Sequence, residues 1–185
     1  MRTSVEGIMY PVDACSSISF DGSLVLEHRL DKFVFTVPHA SWSLCRASLD
    51  SVFSTLQGRS FTHVFVLGPL HKGPIGDALG CVYAPEDGVR AGSDWSIDLM
   101  VPSVISQMVV RSDDVCSEEC SLEIVAPYLS LLFPGVPVCY LLGCSLGSCS
   151  FVVDILRRNF PSSLFLISNN EKTNCAFMWK EAFSI

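Results

Sequence analysis

The 185-residue sequence is short of charge: only 17% of its residues are Asp, Glu, Lys or Arg, against about 25% in an ordinary soluble domain. Basic residues are the scarcer kind, 12 against 19 acidic ones, for a net charge of −7 at neutral pH. No global positive field therefore draws the chain to nucleic acid or to an anionic lipid surface. No run approaches the ~20 uninterrupted apolar residues that span a bilayer, and the first seventeen residues lack an apolar core of secretory type. The expected compartment is the cytoplasm. Cysteine is too sparse for a disulfide scaffold, and the nine present are an odd number, which fits free thiols in a reducing environment. No C-x-x-C pair occurs, so the usual spacing of a structural zinc site is missing. Histidine is limited to four positions, none beyond His71.

What the chain does have is apolar substance. Hydrophobic residues make up 49% of it and the mean hydropathy is +0.42, too apolar for disorder. At 20.2 kDa this predicts one domain over residues 1–185, large enough to bury roughly 70% of its unfolded surface. So little charge on so apolar a chain also predicts a covered face, such as the interface of a homo-oligomer. No repeat, low-complexity tract or linker interrupts the sequence. The longest charge block is the acidic cluster Asp113, Asp114, Glu118 and Glu119.

Hydrophobic spacing alternates between two periods. Residues 33–37 (FVFTV) form a β-branched and aromatic run ended by Pro38. Over 42–57, Trp42, Cys45, Leu49, Val52, Phe53 and Leu56 share one helical face, with Ser43, Arg46, Asp50, Ser54 and Gln57 off it. Ser41 suits the N-cap and Gly58 the C-terminal stop. Residues 62–69 (THVFVLGP) read as a second strand and 79–84 as a short third. A helix is expected over 97–110, with Pro102 near its first turn, and another over 118–133, kinked or restarted at Pro127. Residues 136–143 then read as a strand, 151–159 as a helix and 163–168 as a strand. Strands separated by helices predict an α/β domain of three layers, a mostly parallel sheet with helices on both faces.

In such sheets ligands gather beyond the carboxyl ends of the strands. His39 follows the first strand directly, and His71 follows the second after Gly68-Pro69-Leu70. Neighbouring strand ends should thus bring both imidazoles to one rim. Neutral imidazole is a good ligand for iron, copper or zinc, and two of them make half of a mononuclear site. The plainer alternative is that each ring hydrogen-bonds a carbonyl of its own loop. His28 reads as a surface residue and His63 as a cap on the strand it precedes.

Gly143-Cys144-Ser145-Leu146-Gly147 matches G-x-S-x-G between a strand and a helix, the setting of a hydrolase nucleophile elbow. That arrangement takes its catalytic His from beyond the Ser, and none follows here. Ser145 is accordingly read as part of a tight Gly-rich turn, with a serine hydrolase as a remote alternative. Cys116 and Cys120 are four apart on a possible helix, while Cys139, Cys144 and Cys149 recur every five residues and scatter in direction from strand to turn; a Cys in a buried strand reads as a small hydrophobe.

Four blocks of the sequence resemble the Memo family, known in prokaryotes as AmmeMemoRadiSam system protein B. TVPHASW at 36–42, with Ala47 on the next helix, resembles its VPHAGW segment, and VFVLGPLHKG at 64–73 its hydrophobic strand and LGPSH loop. Glu119-Cys120-Ser121-Leu122-Glu123, followed by Ala126-Pro127-Tyr128-Leu129, is similar to its EHSLE and LPYL run. Val136-Pro137-Val138, running on to Gly143, is similar to its VPI strand ending in Gly. The resemblance covers roughly residues 33–168. It implies a cytosolic α/β fold like that of class III extradiol dioxygenases, which hold non-haem iron with two histidines and a carboxylate. It also implies iron or copper bound through two histidines and a cysteine, with His39 and His71 at the matching positions. An AMMECR-type protein and a radical SAM enzyme are the partners it implies.

Departures from the family pattern bear on the site. Cys120 stands where the family has His, and its SSD-x-x-H motif appears here as Ser168-Asn169-Asn170-Glu171-Lys172-Thr173. Asn170 and Thr173 cannot accept a proton at neutral pH, so an acid–base role there is lost. The family continues further and carries its cysteine ligand in that part. The shorter chain is expected to leave an unpaired apolar sheet edge. Cys120, Glu123 and Asn170 are the candidates to complete the pocket, Glu123 as acceptor for an imidazole N–H. Two functions stand beside each other: a metal-binding protein with an oxidative activity, and a non-catalytic scaffold or relic acting through protein interaction.

Overall fold

The computed structural model describes residue 18 and residues 29–31, 33–40, 42–71, 82–92, 94–117, 119–143, 145–169 and 175–184. In chain order the elements are β1 (Arg29–Asp31), β2 (Val34–Pro38), α1 (Trp42–Ser54), β3 (Val64–Pro69), β4 (Val82–Ala84), β5 (Gly88–Ala91) and β6 (Ser96–Leu99). A 3-10 helix (Ser103–Met108) leads into β7 (Val109–Arg111), α2 (Asp113–Ser117), α3 (Ala126–Leu132), β8 (Val138–Gly143), α4 (Leu146–Asn159), β9 (Leu164–Asn169) and α5 (Cys175–Ser184). The strands form one sheet in the order β1-β2-β9-β3-β8-β4-β7, with the β5-β6 hairpin joined to β8 through β6.

The centre of the sheet, β2-β9-β3-β8, is parallel throughout. The crossover from β2 through α1 to β3 runs one way along it, and that from β8 through α4 to β9 runs the other. Right-handed crossovers in opposite directions must lie on opposite faces. The side chains agree. Phe35, Val37, Val64, Val66, Tyr140, Leu142 and Leu166 pack on one face with Leu49 and Phe53 of α1 and Tyr128 of α3. Val34, Phe65, Leu67, Cys139, Leu141, Phe165 and Ile167 point the other way, against Val152, Val153 and Leu156 of α4 and Trp179 of α5. Every residue of β3 and β8 is buried, as expected of strands covered on both sides. The domain is therefore α/β with three layers and a mostly parallel sheet.

The structure corrects several local expectations. Residues 97–110 are not an α-helix: Ser96–Leu99 alternate exposed and buried as a strand, and Pro102 opens only a 3-10 turn before β-branched Val109 and Val110 extend again. Among the described residues of 118–133 the only α-helix is Ala126–Leu132, with Pro127 in its first turn, where a missing N–H costs nothing. The apolar outer edge expected of the sheet is covered on the β2 side, where β1 pairs antiparallel. The described edge strands are short, β1 and β7 of three residues each and β5 of four. Ser41, residues 79–81, His28 and Cys144 lie outside the described residues.

The top of the sheet is tightly closed near α5. Trp179 Nε1 donates to the Gly68 carbonyl at 2.8 Å. A Cβ added at Gly143 would lie 2.3 Å from Cys149 Sγ and 2.7 Å from the Trp179 ring. Gly143→Ala is thus expected to lower stability by about 1–3 kcal/mol through overpacking. Its urea-unfolding midpoint, followed by tryptophan fluorescence, should fall, and an unchanged midpoint would contradict this packing.

Candidate functional site

Three parallel strand ends build the site. Val37 of β2 pairs with Ser168 of β9 and Pro38 with Asn169, so the chain leaves β2 straight into His39 beside the end of β9. β3 ends at Pro69, and the bond from Leu70 N–H to the Gly143 carbonyl, 3.3 Å long, guides the chain to His71. The two histidines are on one rim, as expected, but their strands are not neighbours. β9 lies between them and supplies Ser168.

The imidazoles meet nitrogen to nitrogen. His39 Nε2 lies 3.4 Å from His71 Nε2, with ring centroids 5.1 Å apart and planes at 70°. Each ring is also held from behind. His39 Nδ1 lies 2.8 Å from Ser168 Oγ. His71 Nδ1 lies 2.6 Å from Glu119 Oε2, and the His71 backbone N–H donates to Glu119 Oε1 at 2.5 Å. Glu119 is only 3% exposed, and a carboxylate so deep needs such donors to offset its lost hydration.

Charge divides unequally between the rings. Burial first, then the neighbouring His71, lowers the His39 pKa to about 4, so this imidazole is neutral at pH 7. The hydrogen bond to Glu119 raises the pKa of His71 against a smaller effect of burial. His71 Nδ1–H donates to the Glu119 carboxylate, and between the two Nε2 atoms one ring donates a single proton that the other accepts.

This geometry also fits a metal ion in place of the shared proton. With metal–imidazole bonds of ~2.0–2.1 Å, nitrogens 3.4 Å apart subtend an angle of about 110° at the ion, close to tetrahedral. Carboxylate and hydroxyl groups behind the ligating rings are the supports that orient such imidazoles. Among the described residues no third His, Cys, Asp or Glu completes a metal-holding group with them.

The remaining candidates are dispersed. Cys120 is a half-buried cysteine outside any disulfide, and it does not join the pair in such a group. Glu123, expected to accept an imidazole N–H, instead lines a neighbouring cavity. The acceptor is Glu119, four residues earlier. Asn170 and Thr173 lie outside the described residues. Ser145 is the N-cap of α4 in an extended conformation, its Oγ 3.3 Å from Ser148 N and 2.9 Å from Ser148 Oγ. Its hydroxyl serves the helix end, and the strain of a nucleophile elbow is missing. His63 sits at the opposite, amino end of β3, packed edge-on to Phe160 with centroids 4.5 Å apart.

Sequence reasoning missed Glu119 and Ser168. Both stood within blocks already quoted for the resemblance, but neither helical spacing nor charge pattern shows which carboxylate turns inward. No family model matches the chain, and no curated protein matches it. Among the described residues no helix is long and apolar enough to cross a membrane.

The unequal charges give a pH dependence with a definite sign. A folded pKa below the unfolded 6.5 makes His39 favour the folded state above pH 6.5, and that contribution is lost as pH falls toward about 4. The raised value of His71 acts oppositely: its contribution is complete below pH 6.5 and lost as pH rises through the folded pKa. The loss of thermal stability between pH 6.5 and 4 should therefore be smaller in His39→Gln than in the wild type. Equal losses would contradict a buried neutral His39. In Glu119→Gln, the NMR titration of His71 should move to lower pH, and an unmoved titration would contradict the clamp.

Proposed function

We propose that the protein is a Memo-like metal-binding protein in which His39 and His71 hold iron or copper. The observation that carries this reading is the 3.4 Å approach of two Nε2 atoms whose far nitrogens are engaged by Ser168 and Glu119. When bound, the ion supplies Lewis acidity and redox chemistry at the strand rim. The protein's own share is to hold His39 neutral by burial and to fix the orientation of His71 through a carboxylate. Five cysteines outside any disulfide among the described residues support a reducing, cytoplasmic setting. The sequence blocks support the family, with an AMMECR-type protein and a radical SAM enzyme as the corresponding partners.

A second reading, a non-catalytic scaffold, draws on Asn170 and Thr173, which replace acid–base residues of the family pattern. Metal analysis separates the two. Protein purified under reducing, anaerobic conditions and dialysed against Fe(II) or Cu(I) should retain about one ion per chain, and the His39→Ala/His71→Ala double variant should retain none. Glu119→Gln should weaken retention about 10–100-fold, the usual effect of removing a carboxylate behind a ligating imidazole. Equal metal content in wild type and double variant would remove the metal reading and leave the scaffold.

A further inference from the structure

The carboxylate behind His71 stands on chain that is neither helix nor strand, residues 119–125 between α2 and α3. The bonds there are those of turns: Glu119 N–H donates to the Cys116 carbonyl and Ile124 N–H to the Cys120 carbonyl, each at 3.2 Å. Turns of this kind do not by themselves hold an atom to the few tenths of an ångström that a 2.6 Å bond to His71 Nδ1 demands. Something else must fix the height of the segment above the sheet.

The contact that does so is made two residues further on. Ser121 is fully buried and lies directly on Gly68 of β3. A Cβ added at Gly68 would be 2.8 Å from Ser121 Oγ and 2.9 Å from Ser121 Cβ, so the segment comes down into space that any other residue at 68 would fill. Gly68 has no freedom to give way. Its strand is paired with β8 on one side and β9 on the other, and its carbonyl accepts from Trp179 Nε1 at 2.8 Å. From β8 the Tyr140 hydroxyl is hydrogen-bonded to that of Ser121, which holds the serine down on the strand.

We propose that Gly68 and Ser121 form a seat that positions Glu119, and that through Glu119 the seat decides which nitrogen of His71 carries the ring proton. The inference deepens the metal reading and rests on it for its consequence. An ion at Nε2 needs the lone pair of that nitrogen, and His71 offers it while Glu119 keeps the proton on Nδ1. Gly68 and Ser121 are thus positioning residues that touch neither the ion nor the imidazole. In Gly68→Ala, restoring an ordinary carbon contact of about 3.5 Å moves Ser121 back by roughly 0.6 Å. A retreat of that size stretches the 2.6 Å bond to the ~3.2 Å limit of a good hydrogen bond.

Nitrogen-15 NMR of the metal-free protein, at a pH above the His71 titration, reads the tautomer directly. The wild type is expected to carry the His71 proton on Nδ1, and Gly68→Ala to shift the population toward Nε2. Ser121→Gly removes both serine atoms that the new methyl group strikes, so Gly68→Ala in that background should change the tautomer little. A His71 tautomer unmoved by Gly68→Ala in the folded protein, or moved equally in the Ser121→Gly background, would overturn the proposal. If circular dichroism shows Gly68→Ala unfolded, Tyr140→Phe decides: loss of its bond to Ser121 should shift the tautomer in the same direction, and no shift would overturn the seat. Retention of Fe(II) or Cu(I) should fall about tenfold or more in Gly68→Ala and recover in the double variant. A tautomer that responds as expected in a protein that retains no metal would uphold the seat and remove the metal reading.

Discussion

Two bare imidazole nitrogens do not rest 3.4 Å apart with their lone pairs opposed; a proton or a cation must lie between them. Burial and Glu119 decide how that requirement is met. Desolvation holds His39 uncharged at neutral pH, the carboxylate takes the Nδ1 proton of His71, and one proton is left between the two facing nitrogens. The same demand can be answered by a metal ion, because binding a cation asks only that the shared proton leave. Glu119 is therefore the pivot of the site. Its own burial is tolerable only because the His71 backbone and ring both donate to it.

This local bargain depends on the order of the strands. β9 separates β2 from β3, and the gap it imposes is what sets the two rings facing each other across a strand end rather than stacked side by side. It also places Ser168, in register with Val37, behind His39. The opposed crossovers then seal both faces of the sheet. The interior is dry enough to depress one histidine, while the rim stays half open at His71, whose side chain is 30% exposed.

The parts of this arrangement legible in the sequence were those written in a regular period. The apolar stripe from Trp42 to Leu56 gave α1, and the β-branched runs gave β2, β3, β8 and β9. His39 and His71 could be placed on the rim because each follows a strand at once, and that needs no side-chain detail. What stayed hidden depends on contacts between distant segments. Glu119 and Glu123 lie four residues apart, one helical turn in a regular helix, yet 119–123 precedes α3 as irregular chain, so only the tertiary fold decides which reaches His71. Residues 97–110 misled for a similar reason: Ile97, Val101, Ile105 and Met108 have helical spacing, but Ser96–Leu99 is drawn into a hairpin with Gly88–Ala91 and Pro102 restarts the chain as a 3-10 turn.

The central claim, that one ion is held jointly by the two facing rings, is tested most directly by pulsed electron paramagnetic resonance on the protein loaded with one equivalent of Cu(II). The account predicts modulation from the remote nitrogens of two coordinated imidazoles, falling to one in either His39→Ala or His71→Ala. A wild-type spectrum showing one imidazole or none, unchanged by either substitution, would contradict it.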